Sequence, residues 1–180
     1  MNIDEIFYKR RTIHSFTNKR VPEIIILKAI EAANQAPCHR LTFPWRFTDV
    51  SKERREQIYE LAVKTNLKNK KDWQKNLDKK YKNPSHLIVA SQVINKSIDI
   101  RREDYAACSC AIQNLTLSLA SEGVGSKWSS GKLTKDKIIY KICKINKSLE
   151  EIIGFIWIGY GEIPSQIKRP TIDSIYRKTI

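Results

Sequence analysis

Three apolar segments dominate the pattern of hydrophobic and polar positions along the chain. Residues 86–94, HLIVASQVI, and residues 150–164, EEIIGFIWIGYGEIP, contain short apolar runs, and each predicts a buried strand. Residues 104–125, DYAACSCAIQNLTLSLASEGVG, are small and apolar throughout and close at Gly123, which predicts a central helix that is buried on nearly all sides.

The rest of the pattern predicts shorter elements between these segments. In VPEIIILKAIEAANQAP, residues 21–37, Pro22 falls in the first turn of a predicted helix and Pro37 lies beyond its end. The apolar positions of that helix are predicted to be Ile25, Leu27, Ile30 and Ala33. Other helices are predicted at 3–8, 53–66, 68–82 and 134–143, and other strands at 45–50 and 126–128.

Helices that interleave with three or four strands predict an α+β fold, an α/β sandwich around one sheet. A chain of 180 residues suits one domain, so residues 1–180 are predicted to form a single unit. In the lysine-rich segment 68–82, Trp73, Leu77 and Tyr81 share one helical stripe, which predicts a helix with a solvated lysine face. The last residues, SQIKRPTIDSIYRKTI, have apolar side chains without a pattern, which is typical of a tail that lies on another surface of this chain or of a partner.

The chain carries 33 Lys and Arg against 19 Asp and Glu, a formal net charge of +14. Such a charge attracts anions, including nucleic acids, phosphates and phosphorylated cofactors. The lysines are spread along the whole chain, so a generally basic surface accounts for most of them. The first residues, MNIDEIFYKRR, lack the apolar core of a signal peptide, and the longest apolar run, residues 152–160, is too short to span a bilayer. We therefore expect a soluble, cytoplasmic protein without a membrane partner.

Four cysteines, at positions 38, 108, 110 and 143, form no C-x-x-C pair. This spacing predicts buried free thiols in a reducing compartment rather than a disulfide framework.

Cys38 precedes His39 in the stretch APCHRLTFPWRF, residues 36–47. A catalytic thiol needs a base in contact with it, and neighbours in sequence usually point in different directions. A zinc site needs four ligands, and the only other histidines are His14 and His86. We therefore expect no metal site, and we interpret the stretch as a loop after a helix that carries polar side chains into a pocket.

A glycine-punctuated turn, GVGSKWSSGK, occupies residues 123–132. It is not a Walker loop, because five residues separate Gly125 from Gly131, and it is not a dinucleotide fingerprint, because Trp128 stands at the third glycine position. Two interpretations remain: a turn that approaches a planar ligand closely, or a plain connection between a helix and a strand.

The basic stretch KRRTIHSF, residues 9–16, places two arginines before a hydroxyl residue. This combination suits a phosphate monoester, because guanidinium groups bind phosphate oxygens in pairs and a hydroxyl adds a donor. A basic helix C-terminus that complements the helix dipole is the alternative interpretation.

Taken in order, five segments resemble the nitroreductase family of FMN-dependent oxidoreductases, and in particular its short subgroup of compact enzymes. The segments are RRTIHSF, APCHRLTFPWRF, DYAACSCAIQNLTLSLASEGVGSKWSSGKLT, EEIIGFIWIGYGEIP and KRP, and they extend over nearly all of the chain. The resemblance implies a nitroreductase-like fold with a central, mostly antiparallel sheet flanked by helices. It also implies an intertwined homodimer in which the C-terminal tail is exchanged onto the partner.

The resemblance further implies an FMN site at each dimer interface. Arg10, Arg11 and Thr12 would hold the phosphate and ribityl chain. Lys168 and Arg169 would complete the phosphate site. His14 stands where many members have Arg or Lys near the flavin pyrimidine, so it would act as a weaker, pH-dependent cation.

The remaining residues implied by the resemblance surround the flavin ring. Gln35 and His39 would line the flavin from the partner chain. The turn against the isoalloxazine would consist of Trp128, Ser129, Ser130 and Gly131. Cys38 would be a bystander, and Phe43 departs from the polar residue that is usual at its position.

The implied activity is hydride transfer from NADH or NADPH through flavin N5 to nitroaromatics, quinones or similar electrophiles, by a ping-pong mechanism without a catalytic side chain. Two other classes stay open. One is a family member that binds flavin without reducing substrates, or that consumes the flavin. The other is a basic nucleic-acid-binding protein, although we expect no nucleic-acid partner because the basic residues follow no single stripe.

Overall fold

A computed structural model of the chain describes residues 2–65 and 73–179. Within these residues, four strands form one antiparallel sheet with helices on both faces. The strands are β1 (Trp45–Asp49), β2 (His86–Val93), β3 (Gly125–Ser129) and β4 (Glu150–Gly159), in the order β1-β2-β4-β3 across the sheet. The predicted α+β sandwich around one sheet is confirmed.

Seven α-helices occur in the described part of the chain. They are α1 (Ile3–Lys9), α2 (Glu23–Asn34), α3 (Lys52–Thr65), α4 (Trp73–Lys82), α5 (Ile98–Ser121), α6 (Lys137–Cys143) and α7 (Ile172–Ile175). Helices α2 and α5 pack on one face of the sheet, and α3, α4 and α6 pack on the other. None of the helices in residues 2–65 and 73–179 is long and apolar enough to cross a membrane.

Strand β4 is an inner strand that is buried on both faces. Phe155 and Trp157 pack with α3, α4 and α6, whereas Ile156 and Ile158 pack with α2 and α5. Burying one such side chain completely stabilises a fold by roughly 1.5–3 kcal/mol. The alternation of β4 side chains therefore contributes to both hydrophobic cores, as does that of its neighbour β2.

Helix α5 is longer and more exposed than the sequence predicts. It begins at Ile98 rather than at residue 104, because the Ser97 side chain accepts a hydrogen bond from the backbone N–H of Ile100. Within this chain Tyr105 is 49% exposed and Cys110 is also exposed, so the prediction of burial on nearly all sides is wrong. The reason is architectural: α5 is an outer layer, and only the face towards the sheet and α2 is covered.

The buried stripe of α2 also differs from the prediction. The buried residues are Ile26, Ala29 and Ala33, while Leu27 is 51% exposed. Residues 24–27 are all apolar, so the sequence pattern does not determine which of them face the sheet. The packing against α5 decides the orientation of the helix.

Two other predicted helices change their bounds. Residues 134–143 are split into a 3₁₀ helix, Lys132–Lys135, and α6, because the Asp136 side chain accepts a hydrogen bond from Ile138 N at 2.8 Å and starts a new helix. The part of the predicted helix 68–82 that is described begins at Trp73, and residues 68–72 lie outside the described residues. Leu77 and Tyr81 are buried as their stripe predicts, whereas the side chain of Trp73 is also outside the description.

The C-terminal tail passes beside α1 of its own chain but is not buried there. Residues 162–179 are all exposed, and α7 is their one short helix within the described residues. Five large apolar side chains in the tail are 60–72% exposed: Ile163, Ile167, Ile172, Ile175 and Tyr176. The apolar character of the tail is therefore not explained by packing within one chain.

All four cysteines are free thiols, but only two of them are buried. Burial raises the pKa of Cys108 to about 12 and the pKa of Cys143 to about 11. Cys38 is half-buried and Cys110 is exposed, so the prediction of buried thiols is wrong for these two positions.

His86, at the start of β2, joins the sheet to the segment that leads into α2. Its Nδ1 lies 2.9 Å from Asp49 Oδ2, and its Nε2 lies 3.2 Å from the carbonyl oxygen of Val21. Both partners are acceptors, so the doubly protonated imidazolium satisfies both contacts. The hydrogen bond from His86 to the Asp49 carboxylate accordingly raises the pKa of His86.

The stabilisation from the His86–Asp49 pair is expected to depend on pH. Because the pKa of His86 is raised in the folded chain, the stabilisation is fully present below the unfolded value of about 6.5 and is lost as the pH rises through the folded value. Asp49→Asn is expected to lower the free energy of unfolding by about 0.5–1 kcal/mol at pH 6, since the pair is partly exposed, and by less at pH 9. Urea denaturation at both pH values, with Glu56→Gln as the control, measures the difference. An equal loss at pH 6 and pH 9 would contradict the assignment.

Candidate active site

The edge strand β3 and the segment after α1 form one side of the candidate site. Thr12 pairs with Ser126 in a parallel bridge, and the backbone N–H of Ile13 donates to the Ser126 carbonyl at 3.0 Å. Ile13 then packs over Gly125 and Gly161, and at either glycine a Cβ atom would clash with this segment. The absence of side chains at these two glycines lets the segment lie directly against the sheet edge.

Three arginines gather where this segment leaves α1. Arg10 and Arg11 line a cleft of about 160 Å³ together with Gly125 and Ser126. Burial, and then the positive charges of Arg169 and Arg11, lower the pKa of Arg10. Among the described residues, none of the three guanidinium groups forms an ion pair with a carboxylate. Arg11 donates to the carbonyl oxygens of Tyr8 and Arg10 at the end of α1, which complements the helix dipole, but no carboxylate of the described residues neutralises the arginine cluster, so it still suits a phosphate group.

The tail contributes unequally to the arginine cluster. Arg169 lines a second small cleft with Arg11 and Tyr8, whereas Lys168 is exposed and is not among the residues that line it. The structure thus brings Arg10, Arg11 and Arg169 together.

The turn after β3 lines a separate cleft of about 410 Å³. Ser129, Ser130 and Gly131 face Lys80 and Tyr81 of α4 across it. Ser129 Oγ accepts a hydrogen bond from the buried Trp157 indole at 3.0 Å, which fixes the start of the turn. Gly131 has φ 138°, a value that favours glycine. The turn therefore presents hydroxyl groups and backbone polar atoms to an open space of ligand size.

Trp128 lies on the other face of β3 from Ser129. Its indole covers Gly154 of β4 so closely that a Cβ atom there would clash with the ring. Trp128 is 38% exposed, so it presents part of its aromatic surface at the edge of the sheet.

Two lysines near this turn were missed by the sequence analysis. Lys127 Nζ lies 3.2 Å from His14 Nδ1, and the positive charge of Lys127 contributes to a lowered pKa of Lys80. Because side chains alternate along a strand, Lys127 lies on the same face of β3 as Ser129. Once the bounds of β3 are known, this alternation predicts that the Lys127 side chain lies near the site. Lys80 has no comparable sequence signal in a segment rich in lysine.

The loop that contains Cys38 and His39 has a strained backbone. Arg40, Leu41 and Phe43 have φ values of 62°, 54° and 43°, a region that costs non-glycine residues energy. Cys38 Sγ accepts a hydrogen bond from the backbone N–H of Phe43 at 3.2 Å. The thiol therefore contributes to the structure of the loop.

Two contacts with α5 hold this loop in place. Thr42 Oγ1 donates to Asp104 Oδ1 at 2.6 Å, and Arg40 Nε lies 3.3 Å from Glu103 Oε2. Asp104 is only 3% exposed, so its carboxylate depends on this hydrogen bond. Pro44 and Trp45, which follow the loop, are buried and belong to the core.

The loop and the turn after β3 lie at opposite edges of the sheet. The loop leads into β1, and β1 and β3 are separated by three strand spacings, or about 14 Å. Gln35 and His39 are both exposed, and within one chain they do not share a cleft with Ser129 and Gly131. The predicted site residues therefore form two groups in one chain: Gln35 and His39 at one edge, and the others at or near the other edge.

No group of three or more His, Cys, Asp or Glu side chains that would suit a metal ion occurs in residues 2–65 and 73–179. Instead, the described site combines uncompensated arginines, close backbone approach and a partly exposed indole. This combination suits an anionic ligand with a planar ring.

Comparison with known proteins identifies the family of the chain. The family model described as Nitroreductase family matches residues 8–160. The chain belongs to this family. It is 32% identical over 173 residues to the protein named "Putative NAD(P)H nitroreductase YfhC" of Bacillus subtilis (strain 168), and the match covers 93% of this chain and 88% of that protein.

Solved structures show the same fold. The Nitroreductase-like Family Protein from Bacillus cereus superposes with a TM-score of 0.85 at 23% identity, covering 99% of this chain and 96% of that one. A mutant of the FMN and NADPH-dependent nitroreductase NfnB from Sphigopyxis sp. strain HMH gives a TM-score of 0.82 at 13% identity, with 99% of each chain covered. The predicted nitroreductase-like fold is confirmed.

The Thr42–Asp104 hydrogen bond is expected to stabilise the strained loop. Thr42→Val leaves a buried carboxylate without this donor, so it is expected to lower the free energy of unfolding by about 1.5–3 kcal/mol. Thr42→Ser keeps the hydroxyl group and is expected to cost less than about 1 kcal/mol. Urea denaturation of the two variants and the original protein measures the difference, and equal losses for Val and Ser would show that the hydroxyl is not the anchor.

Proposed function

We propose that the chain is an FMN-dependent oxidoreductase of the cytoplasm, formed by a single domain, that accepts hydride from NADH or NADPH and reduces nitroaromatics, quinones or similar electrophiles. The observation that carries this proposal is the presence near β3 of two groups of cations without carboxylate partners among the described residues: the arginine cluster, and Lys127 with Lys80. A flavin mononucleotide would suit such an edge, because it has a phosphate at one end and a planar ring that gains negative charge at the other.

The arginine cluster would hold the FMN phosphate. Arg10, Arg11 and Arg169 supply guanidinium donors without competing carboxylates in the described residues, and Thr12 supplies a hydroxyl next to them. Lys168, exposed in the same tail, would add charge without lining the cleft. Two or more charge-assisted hydrogen bonds per phosphate give this end of the site both affinity and orientation.

The far end of β3 would hold the flavin ring. Ser129, Ser130 and Gly131 would place two hydroxyl groups and a backbone without a side chain against the ring, and Trp128 would add an indole from the other face of the same strand. When bound there, FMN supplies hydride transfer through N5, which no side chain of the chain provides. The protein would orient the ring, exclude water from one side of it, and stabilise negative charge with the cations near β3.

A homodimer would complete the site. Gln35 and His39 lie at the opposite edge of the sheet from Gly131, so they would reach the flavin of the partner subunit rather than that of their own chain. The tail supports the same proposal, because its apolar side chains find no cover on their own chain and would be exchanged onto the partner. A donor and an acceptor would then use the same open side of the flavin in turn, which is a ping-pong scheme.

The first test is a visible spectrum of the purified protein, repeated without oxygen after NADH or NADPH is added. A flavin band that bleaches on addition is expected, and the nucleotide that bleaches it faster is the preferred donor. A flavin band that does not bleach would indicate a flavin protein with different chemistry, such as one that consumes its flavin. A protein that binds no FMN after reconstitution, and that copurifies with nucleic acid, would overturn the proposal.

Removal of the arginine cluster is expected to release FMN from a folded protein. Arg10→Ala together with Arg169→Ala removes two charge-assisted contacts, which corresponds to at least about a hundredfold weaker binding of FMN. Lys137→Ala together with Lys141→Ala removes the same charge from exposed positions of α6 and is the matched control. Fluorescence titration with FMN measures the affinities, and circular dichroism confirms the fold. Unchanged affinity in the arginine variant would show that the phosphate lies elsewhere.

A further inference from the structure

His14 and Lys127 form a hydrogen-bonded pair at the edge of the sheet. Lys127 Nζ lies 3.2 Å from His14 Nδ1, and the Thr12–Ser126 bridge keeps the two residues side by side. An ammonium group can only donate, so Nδ1 must accept and the proton of the ring must lie on Nε2. In this pair the donor, Lys127, carries the positive charge, and the ring of His14 that accepts from it is neutral.

Lys80 brings a second ammonium group to the same place. Its Nζ lies 5.2 Å from the ring centre of Tyr81 and 6.0 Å from that of Trp157, so two aromatic faces hold it. Burial and the charge of Lys127 lower the pKa of Lys80, and burial lowers the pKa of Lys127. The smaller contribution, from the charge of Lys127 to the lowered pKa of Lys80, indicates that the two ammonium groups lie near each other.

The charged groups around the pair come from several elements. Lys80 faces it from α4, and Lys132 and Asp136 line the cleft that Lys80 also lines. Within the described ranges neither Lys80 nor Lys127 forms an ion pair with a carboxylate. Lys127 stands next to this cleft rather than in its lining, and Lys80, Lys127 and Lys132 outnumber the one carboxylate among the described residues there, Asp136, so the surroundings favour a ligand that gains negative charge after it is bound.

We infer that Lys127 is the fixed cation that stabilises the reduced flavin, and that His14 is a positioning residue that holds Lys127 as a neutral hydrogen-bond acceptor. This inference rests on the proposed FMN site. It replaces the sequence-based interpretation of His14 as a pH-dependent cation. The reduced ring carries negative charge that the oxidised ring lacks, so a fixed cation binds the reduced form more tightly and raises the reduction potential.

The tautomer of His14 tests the pair independently of activity. The chain has three histidines, so a ¹⁵N spectrum of the purified protein is assigned with two variants, His39→Gln and His86→Gln. At pH 7.5, before and after addition of FMN, His14 is expected to have an unprotonated Nδ1 and a protonated Nε2. Lys127→Met is expected to shift the Nδ1 resonance. A proton on Nδ1 of His14 would overturn the assignment.

The affinity for the two forms of FMN tests the role of Lys127. Lys127→Met is expected to weaken the binding of reduced FMN at least tenfold more than that of oxidised FMN, which equals a fall of about 30 mV in the two-electron midpoint potential. Lys127→Arg keeps the charge and is expected to restore most of the potential. His14→Phe removes the acceptor and is expected to lower the midpoint potential by less than Lys127→Met does. His14→Asn retains an acceptor and is expected to lower the potential by less than His14→Phe does.

The control and the outcomes separate this inference from the proposed function. Lys141→Met removes one exposed lysine of α6 and is expected to leave the potential unchanged. Lys127→Gln is measured alongside Lys127→Met, and thermal unfolding reports whether each is folded. If the original protein binds no FMN, the proposed function fails. If it binds FMN but Lys127→Met and Lys127→Gln have the potential of Lys141→Met, the proposed function stands and the role of Lys127 is wrong.

Discussion

Burial of β4 on both faces is the constraint around which the rest of the molecule is arranged. A strand whose successive side chains all need cover requires a helical layer on each side, and α2 with α5 and α3 with α4 and α6 provide the two layers. The fully buried Trp157 also ties this core to the turn after β3, because its indole donates to Ser129. The most stable part of the fold thus determines where the candidate site begins.

The site itself lies on the least enclosed strand. An edge strand has backbone groups that are not used by a neighbouring strand, and proteins often protect such an edge with lysine or cover it with another segment. β3 shows both features, because Lys127 stands on it and Thr12 bridges it at Ser126. Beyond that bridge the edge is open at the turn, which leaves room for a ligand. The lysine that protects the edge from unwanted strand pairing therefore also supplies positive charge next to that ligand.

Much of the fold could be predicted from the sequence, because the apolar runs of β2 and β4 leave little choice of structure. The orientation of α2 could not, because its apolar residues 24–27 fit several faces and only packing against α5 selects Ile26 and Ala29. The candidate site likewise contains some residues that could be predicted from the sequence and others that could not. Arg10, Arg169 and Gly131 were identified through the resemblance to a family, whereas the sequence pattern did not single out Lys127 and Lys80. A basic chain offers many lysines, and only the register of β3 and the aromatic surroundings in α4 distinguish these two.

The strained loop before β1 has a consequence for how related chains diverge. Left-handed backbone costs an ordinary residue roughly 1–2 kcal/mol, while glycine in its place costs roughly 0.5–1 kcal/mol through the greater freedom of the unfolded chain. At Leu41, which is 72% exposed, glycine would relieve a strain of the same order as the freedom that it adds to the unfolded chain, so the exchange changes stability little. Arg40 differs, because its guanidinium also contacts Glu103 of α5. The chemistry of the loop can therefore vary at Leu41 while the contacts of Arg40 and Thr42 with α5 preserve its shape.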